Sequence, residues 1–350
     1  MGAVRVLVVD DSPTMRQALG LLMAGDGIQV VGEAGDGLQA LEMEQRLRPQ
    51  VVTMDLCMPG LDGLAATRRL ATQGQARVVV VAGTSPASGA TLAFEALRAG
   101  AVDAVAKPEV GSRRALDDFA QALRQAVLVA AEAALPAWPG APLARPFPPP
   151  GRQGSPISMA GLVASTGGPA ALAELLSPLP ADLAFPLLLV QHMAAGFQEA
   201  FIQWLAGHTA LAVGAAGEGA KALPGRVYLA PPGRHLECGP GGILHTPALK
   251  PGEPGASGDR MLGSLAAHGG GACLGAVLTG MGRDGSQGLL ALRRAGGLAL
   301  AQEGASCAVF GMPKACLESG ACQSLVTMPY LTSLLASGVL PALDDLPQGA

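Results

Sequence analysis

The chain has little of what marks several protein classes. Aromatic residues make up 3% and charged residues 14%, against 49% hydrophobic; a disordered chain shows the opposite balance. No stretch approaches the ~18 uninterrupted apolar residues of a membrane span, which excludes a helical membrane protein. The apolar run Val6–Val9 follows Arg5 and ends in Asp10 and Asp11. A secretory signal is therefore not expected, and the cytoplasm is the expected location. The six cysteines (Cys57, Cys238, Cys273, Cys307, Cys316, Cys322) include no CxxC pair, so they read as reduced, mostly buried thiols instead of zinc ligands or disulfides. Basic clusters are missing as well. Residues 1–155 carry 14 Lys and Arg against 15 Asp and Glu, and residues 156–350 carry 9 against 12, which argues against a nucleic-acid-binding output domain.

What is present points to two domains. A chain of 350 residues exceeds the soft prior of about 150 per domain. Between residues 136 and 156, eight of 21 residues are proline and the hydrophobic period disappears, as in a semi-rigid linker. Before it, Val-rich runs at 4–9, 28–31, 51–54, 78–81 and 102–105 alternate with helical patterns at 14–24, 36–47, 63–72, 89–98 and 112–132. Five strand-helix units predict a doubly wound parallel sheet covered on both faces. After it, apolar strands at 157–163, 186–190, 227–230, 274–279 and 298–301 alternate with helices at 168–176, 196–206, 258–267, 286–294 and 312–318. This predicts a second α/β unit, doubly wound and mostly parallel. The boundaries expected are 1–125, then 126–155 for the helix end and linker, then 156–345.

In open α/β sheets the site lies beyond the carboxyl ends of the strands. In the first half those positions hold Asp10 and Asp11 after the first strand, Asp55 after the third, Gly83-Thr84-Ser85 after the fourth and Lys107-Pro108 after the fifth. Asp10, Asp11 and Asp55 form a hard oxygen-rich set suited to Mg²⁺, with Asp55 central and hence the expected phosphoryl acceptor. Lys107 and a hydroxyl would hold the remaining phosphoryl oxygens. Taken singly, Asp11-Ser12-Pro13 is equally a helix start and Lys107 a loop lysine. Taken together, DDS, DLCMPGLDG and KP resemble the response-regulator receiver family over about residues 3–125. Related receivers tend to have a hydroxyl residue where this chain has Gly83, so Thr84 is the candidate for that role.

In the second half, ISMAGLVASTGGPA (157–170) runs from a strand through Ser165-Thr166-Gly167-Gly168 into a helix. A serine on that turn can be a helix cap or a nucleophile beside N–H groups able to hold an oxyanion. His192 ends PLLLVQH, and Asp284 lies in GAVLTGMGRDG. A lone histidine after a strand is more often structural, and an aspartate among glycines can simply stabilise a turn. At successive strand ends, however, the order Ser165, His192, Asp284 has a hydrolase's logic. With GRVYLAPPGRHLE (225–237) and AQEGASCAVFGMPKA (301–315), these motifs resemble the protein-glutamate methylesterases of bacterial chemotaxis, the CheB family, over about residues 157–335. Departures are Ala194 and Ala195 after QHM, Trp204, and the loose segment SGDRMLGSLA (257–266); these bear on substrate docking more than on the triad.

The resemblance implies demethylation of glutamyl γ-methyl esters on chemoreceptor helices, with release of methanol, and deamidation of selected receptor glutamines. It further implies a chemotaxis-type histidine kinase as phosphodonor, Mg²⁺ for the receiver and no cofactor for the esterase step. Backbone amides near Thr166 and Met281 are the oxyanion candidates. Nucleic acid and direct membrane insertion are not expected. The competing reading is a phosphorylation-controlled interaction protein whose hydrolase fold is inactive.

Overall fold

The computed structural model describes residues 2–25, 27–84, 89–108, 113–133, 154–253 and 255–347. The chain divides into two compact units, residues 1–139 and 140–350. The linker expectation falls mainly on residues 134–153, outside the described residues.

The first unit alternates β1 (Val4–Val9), α1 (Pro13–Met23), β2 (Ile28–Ala34), α2 (Gly37–Leu47), β3 (Val51–Met54), α3 (Gly63–Gln73), β4 (Arg77–Ala82), α4 (Ala90–Arg98), β5 (Asp103–Ala106) and α5 (Arg113–Glu132). Its sheet is five-stranded in the order β2-β1-β3-β4-β5, every pair parallel. All five carboxyl ends therefore lie on one edge. Residues of β3 are buried throughout, as a strand covered on both faces requires. Ser12, Asp36 and Asp62 cap α1, α2 and α3 by accepting backbone N–H groups, which satisfies donors the first helical turn leaves unpaired. The helix-start reading of Ser12-Pro13 thus holds alongside the carboxylates that precede it.

The second unit runs β6 (Ser155–Pro156), β7 (Met159–Ala164), α6 (Gly168–Leu176), β8 (Leu187–Gln191), α7 (Gln198–Ala206), β9 (Ala212–Ala215), β10 (Arg226–Leu229), β11 (Glu237–Cys238), β12 (Leu244–His245) and α8 (Gly258–His268). It continues with β13 (Cys273–Val277), α9 (Ser286–Arg294), β14 (Leu298–Gln302), α10 (Met312–Glu318), β15 (Ser324–Val326), α11 (Met328–Ser337) and β16 (Val339–Leu340). Seven strands form one sheet in the order β15-β14-β13-β7-β8-β10-β9, and every pair in it is parallel. Among the described residues of this unit, antiparallel ladders occur only in the ribbons β11–β12 and β6–β16. The central strands β7, β13 and β14 are buried along their full length, so the core lies around the middle of the sheet. Strands β9 and β15 and helix α11 extend the architecture beyond the ten elements read from the pattern.

Candidate functional site

Strands β7 and β8 are direct neighbours, with Ala164 opposite Gln191. Ser165 and His192, the next residue on each strand, therefore leave the sheet side by side, and the His192 N–H donates to the Ala164 carbonyl at 3.0 Å. On the other flank of β7 lies β13, whose continuation holds Ser165 through a 3.0 Å bond from its N–H to the Thr279 carbonyl. A Cβ on Gly280 would lie 2.6 Å from the Ser165 Cβ, so this loop passes against the serine. It then delivers Asp284, whose Oδ2 lies 2.8 Å from His192 Nε2. The three residues predicted from strand ends are thus gathered at one edge.

Electrostatics fixes the roles within the histidine-aspartate pair. Burial pushes the Asp284 carboxyl up, but hydrogen bonds from His192 and from the Asp259 and Gly258 N–H groups outweigh it and hold the pKa at about 2. The Ser257 hydroxyl adds a further bond to Oδ1 at 3.0 Å. Asp284 therefore sits as an anion at the amino end of α8, where free N–H groups favour negative charge. Because it can only accept, the proton in this bond is carried by His192 Nε2, which leaves Nδ1 as the ring nitrogen that could serve as a base. No hydrogen bond joins Ser165 Oγ to His192 among the described residues, and such bonds commonly tighten only with substrate present. A cavity of about 620 Å³ opens beside His192, Asp284 and Met193, a size suited to small ligand groups; Ser165 is not among its walls.

The oxyanion candidates lie on the same edge. The Thr166 carbonyl accepts from Thr279 Oγ1 at 3.0 Å, which holds the serine turn to the loop that follows β13. The N–H groups of Ser165, Gly168 and Gly280 donate to the carbonyls of Thr279, Ser165 and Val309, and are thereby committed to the fold.

In the first unit, one ligand atom each from Asp10, Asp11 and Asp55 fall within 4.8 Å of one another. Lys107 Nζ bonds Asp10 Oδ2 at 2.8 Å and Asp55 Oδ1 at 2.7 Å. Burial disfavours the Lys107 charge, but these two carboxylates more than compensate and raise its pKa. A set of three carboxylates so closely spaced, two of them buried, fits a hard divalent cation with oxygen ligands. Gly63 closes the loop behind: a Cβ there would lie 1.9 Å from the Asp55 carbonyl oxygen. Thr84 is half-buried two residues beyond β4, and no hydrogen bond ties it to the carboxylates or to Lys107 among the described residues.

Several participants escaped sequence reasoning. Ser257 caps α8 while binding Asp284, and the signal available was a Ser-Gly-Asp start before an apolar helix. His235 is buried in the wall of the cavity; its Nδ1 accepts from the Ser257 N–H at 3.1 Å and its Nε2 faces Glu253 at 3.1 Å. Gln302 is buried and accepts from the Thr279 N–H at 2.8 Å. Of the cysteines, only Cys57 is exposed and all six are free. No described helix is long and apolar enough to cross a membrane.

Residues 160–335 match the CheB methylesterase family and residues 6–117 match the response regulator receiver domain. A protein-glutamate methylesterase/protein-glutamine glutaminase of Myxococcus xanthus (strain DK1622) is 44% identical over 334 residues, covering 94% of this chain and 92% of its own. A protein of the same description from Anaeromyxobacter dehalogenans (strain 2CP-C) is 41% identical over 343 residues, covering 95% and 98%. The crystal structure of the Thermotoga maritima CheB methylesterase catalytic domain aligns with a TM-score of 0.50 at 29% identity, covering 52% of this chain and 98% of that one.

Proposed function

The chain belongs to the CheB methylesterase family, in the form that carries a receiver domain, and from that premise we propose a phosphorylation-controlled hydrolase acting on glutamyl γ-methyl esters and selected glutamines of chemoreceptors. The observation that carries the reading is the 2.8 Å bond from His192 to Asp284, made at the end of the strand beside the one that carries Ser165.

Ser165 Oγ attacks the side-chain carbonyl carbon of the receptor residue while its proton passes to His192 Nδ1. Asp284 stabilises the imidazolium so formed. The developing oxyanion is held by backbone N–H groups of Thr166 and Met281. As the carbon to methoxide (or amide) bond breaks, Nδ1 returns the proton and methanol (or ammonia) leaves. Water then attacks the acyl-serine, again losing its proton to Nδ1, and the free glutamate and Ser165 are restored. None of these steps calls on a cofactor.

In the receiver, Asp55 accepts a phosphoryl group from a chemotaxis-type histidine kinase, with Asp10 and Asp11 completing the cation site. Mg²⁺, when bound there, offsets the negative charge of acceptor and phosphoryl group. Lys107 and Thr84 hold phosphoryl oxygens, and the modified state changes access to the esterase site.

The test is Ser165→Ala. Methanol release from methylated receptor membranes is expected to fall to about a thousandth of wild type or lower, with circular dichroism unchanged, and a fluorophosphonate probe should label wild type at Ser165 alone. Turnover that survives the substitution refutes the nucleophile; an unlabelled wild type favours the inactive interaction protein.

A further inference from the structure

Gln191, the last residue of β8, sits between the two proposed catalytic residues. Its side-chain Nε2 donates to the Ser165 carbonyl at 2.8 Å and to the His192 carbonyl at 2.9 Å. One planar NH₂ group thus spans the step between two neighbouring strand ends, with both hydrogens engaged. The Ser165 carbonyl is gripped from a second side by the Gly168 N–H at 2.8 Å.

Chemistry fixes which way the amide faces, because the reversed orientation would set Oε1 against two carbonyl oxygens. The consequence is on the other side of the group. Oε1 is buried and meets no donor among the described residues, pressed against the start of α6, where a Cβ on Gly168 would come within 2.0 Å of it. A buried acceptor without a donor is unfavourable, while an apolar side chain of the same shape carries no such penalty. The Oε1 side of the group therefore favours methionine, and what glutamine adds is the pair of donors.

We propose that Gln191 is a positioning residue of the hydrolysis, a clamp that sets the spacing of the Ser165 and His192 backbones so that Oγ comes within reach of Nδ1. Catalytic groups must be held to within about half an ångström of productive geometry. The proposal rests on Ser165 as nucleophile and His192 as base.

The experiment compares full-length wild type, Gln191→Met, Gln191→Glu and Ser165→Ala by methanol release, fluorophosphonate inactivation and thermal melting. Gln191→Met keeps the shape and removes both donors. It should melt close to the wild-type temperature, because relief of the unpartnered Oε1 offsets the two carbonyl bonds lost, yet lose about ten- to a hundredfold in kcat, hold KM within about twofold and slow probe inactivation in parallel. Gln191→Glu turns a carboxylate oxygen toward the two carbonyls and should lose more. A folded Gln191→Met with wild-type kcat, a change in KM alone, or activity lost only in proportion to melting overturns the clamp. So does failure of both variants to fold, since Gln191 would then hold the structure and not the site. Turnover retained by Ser165→Ala refutes the underlying reading instead, whereas inactive Ser165→Ala beside fully active Gln191→Met refutes the clamp alone.

Discussion

At the scale of single residues, Asp284 carries the most electrostatic consequence. Its carboxyl is held at about 2 in the fold against an ordinary 3.8, so the folded state binds its proton less readily than the unfolded chain. Stability from this group is complete above the ordinary carboxylate range and is lost as pH falls from about 4 through 2. The shift corresponds to about 2 kcal/mol. In Asp284→Asn that contribution is gone at every pH. Urea unfolding between pH 2 and 6, followed through the buried Trp204, should therefore show wild type losing about 2 kcal/mol more than the variant across that interval. Parallel curves would show that Asp284 is not held as an anion by His192 and the start of α8. Asp284 and its partner were both readable as residues after strands. The Ser257 hydroxyl and Asp259 N–H also bind the carboxylate; their Ser-Gly-Asp sequence marks a helix start, but the approach of that start to Asp284 depends on where α8 packs.

At the scale of elements, strand ends were the legible part of the site. Val-rich and Leu-rich runs announce buried parallel strands, and the parallel order then assigns one chemical edge to each sheet. The missed elements lacked those signals. Strand β9 reads Ala-Val-Gly-Ala, poor in β-branched residues and interrupted by glycine, and β15 has three residues. Helix α11 did carry its marks, with Thr327 as cap, Pro329 in the first turn and Gly338 in a left-handed C-cap at φ 68°, but its apolar residues lack a clear helical stripe. The Thr166–Thr279–Gln302 connection joins three segments distant in sequence, which no window along the chain reveals. The loop after β13 gives a test at this scale. A methyl on Gly280 would press on Ser165 and, at 2.5 Å, on the Met312 sulfur, so Gly280→Ala should lower esterase kcat by about tenfold or more. Phosphorylation of Asp55 in the other unit should proceed at the wild-type rate. Equal loss of both activities would indicate general unfolding instead of local displacement of the proposed nucleophile.

At the scale of the whole molecule, the chain joins a segment matching the receiver family to one matching the methylesterase family, with a proline-rich sequence between them, and the proposed control of the esterase can be tested by separating the two. If the unphosphorylated receiver restrains the esterase, the second unit alone should demethylate receptor membranes faster than the unmodified full chain and should ignore a small phosphodonor. An equal or slower fragment would leave activation or receptor docking as the receiver's role. The fragment must start upstream of Gly154, since Ser155–Pro156 pairs with Val339–Leu340 and the Gly154 backbone lies against the Leu340 carbonyl. The strand order carries a further consequence, for synthesis. Every strand of the first sheet is complete by Ala106, so that unit can fold while the rest is still being translated. Strand β7, by contrast, lies between β8 and β13, and β13 begins only at Cys273. One edge of the apolar strand β7 therefore lacks its native partner through about a hundred residues of elongation, the kind of long-range pairing that slows folding and favours aggregation. Asp284 emerges later still, so the proposed nucleophile and base leave the ribosome well before the carboxylate that pairs with His192, and the candidate site can assemble only after that residue has been made.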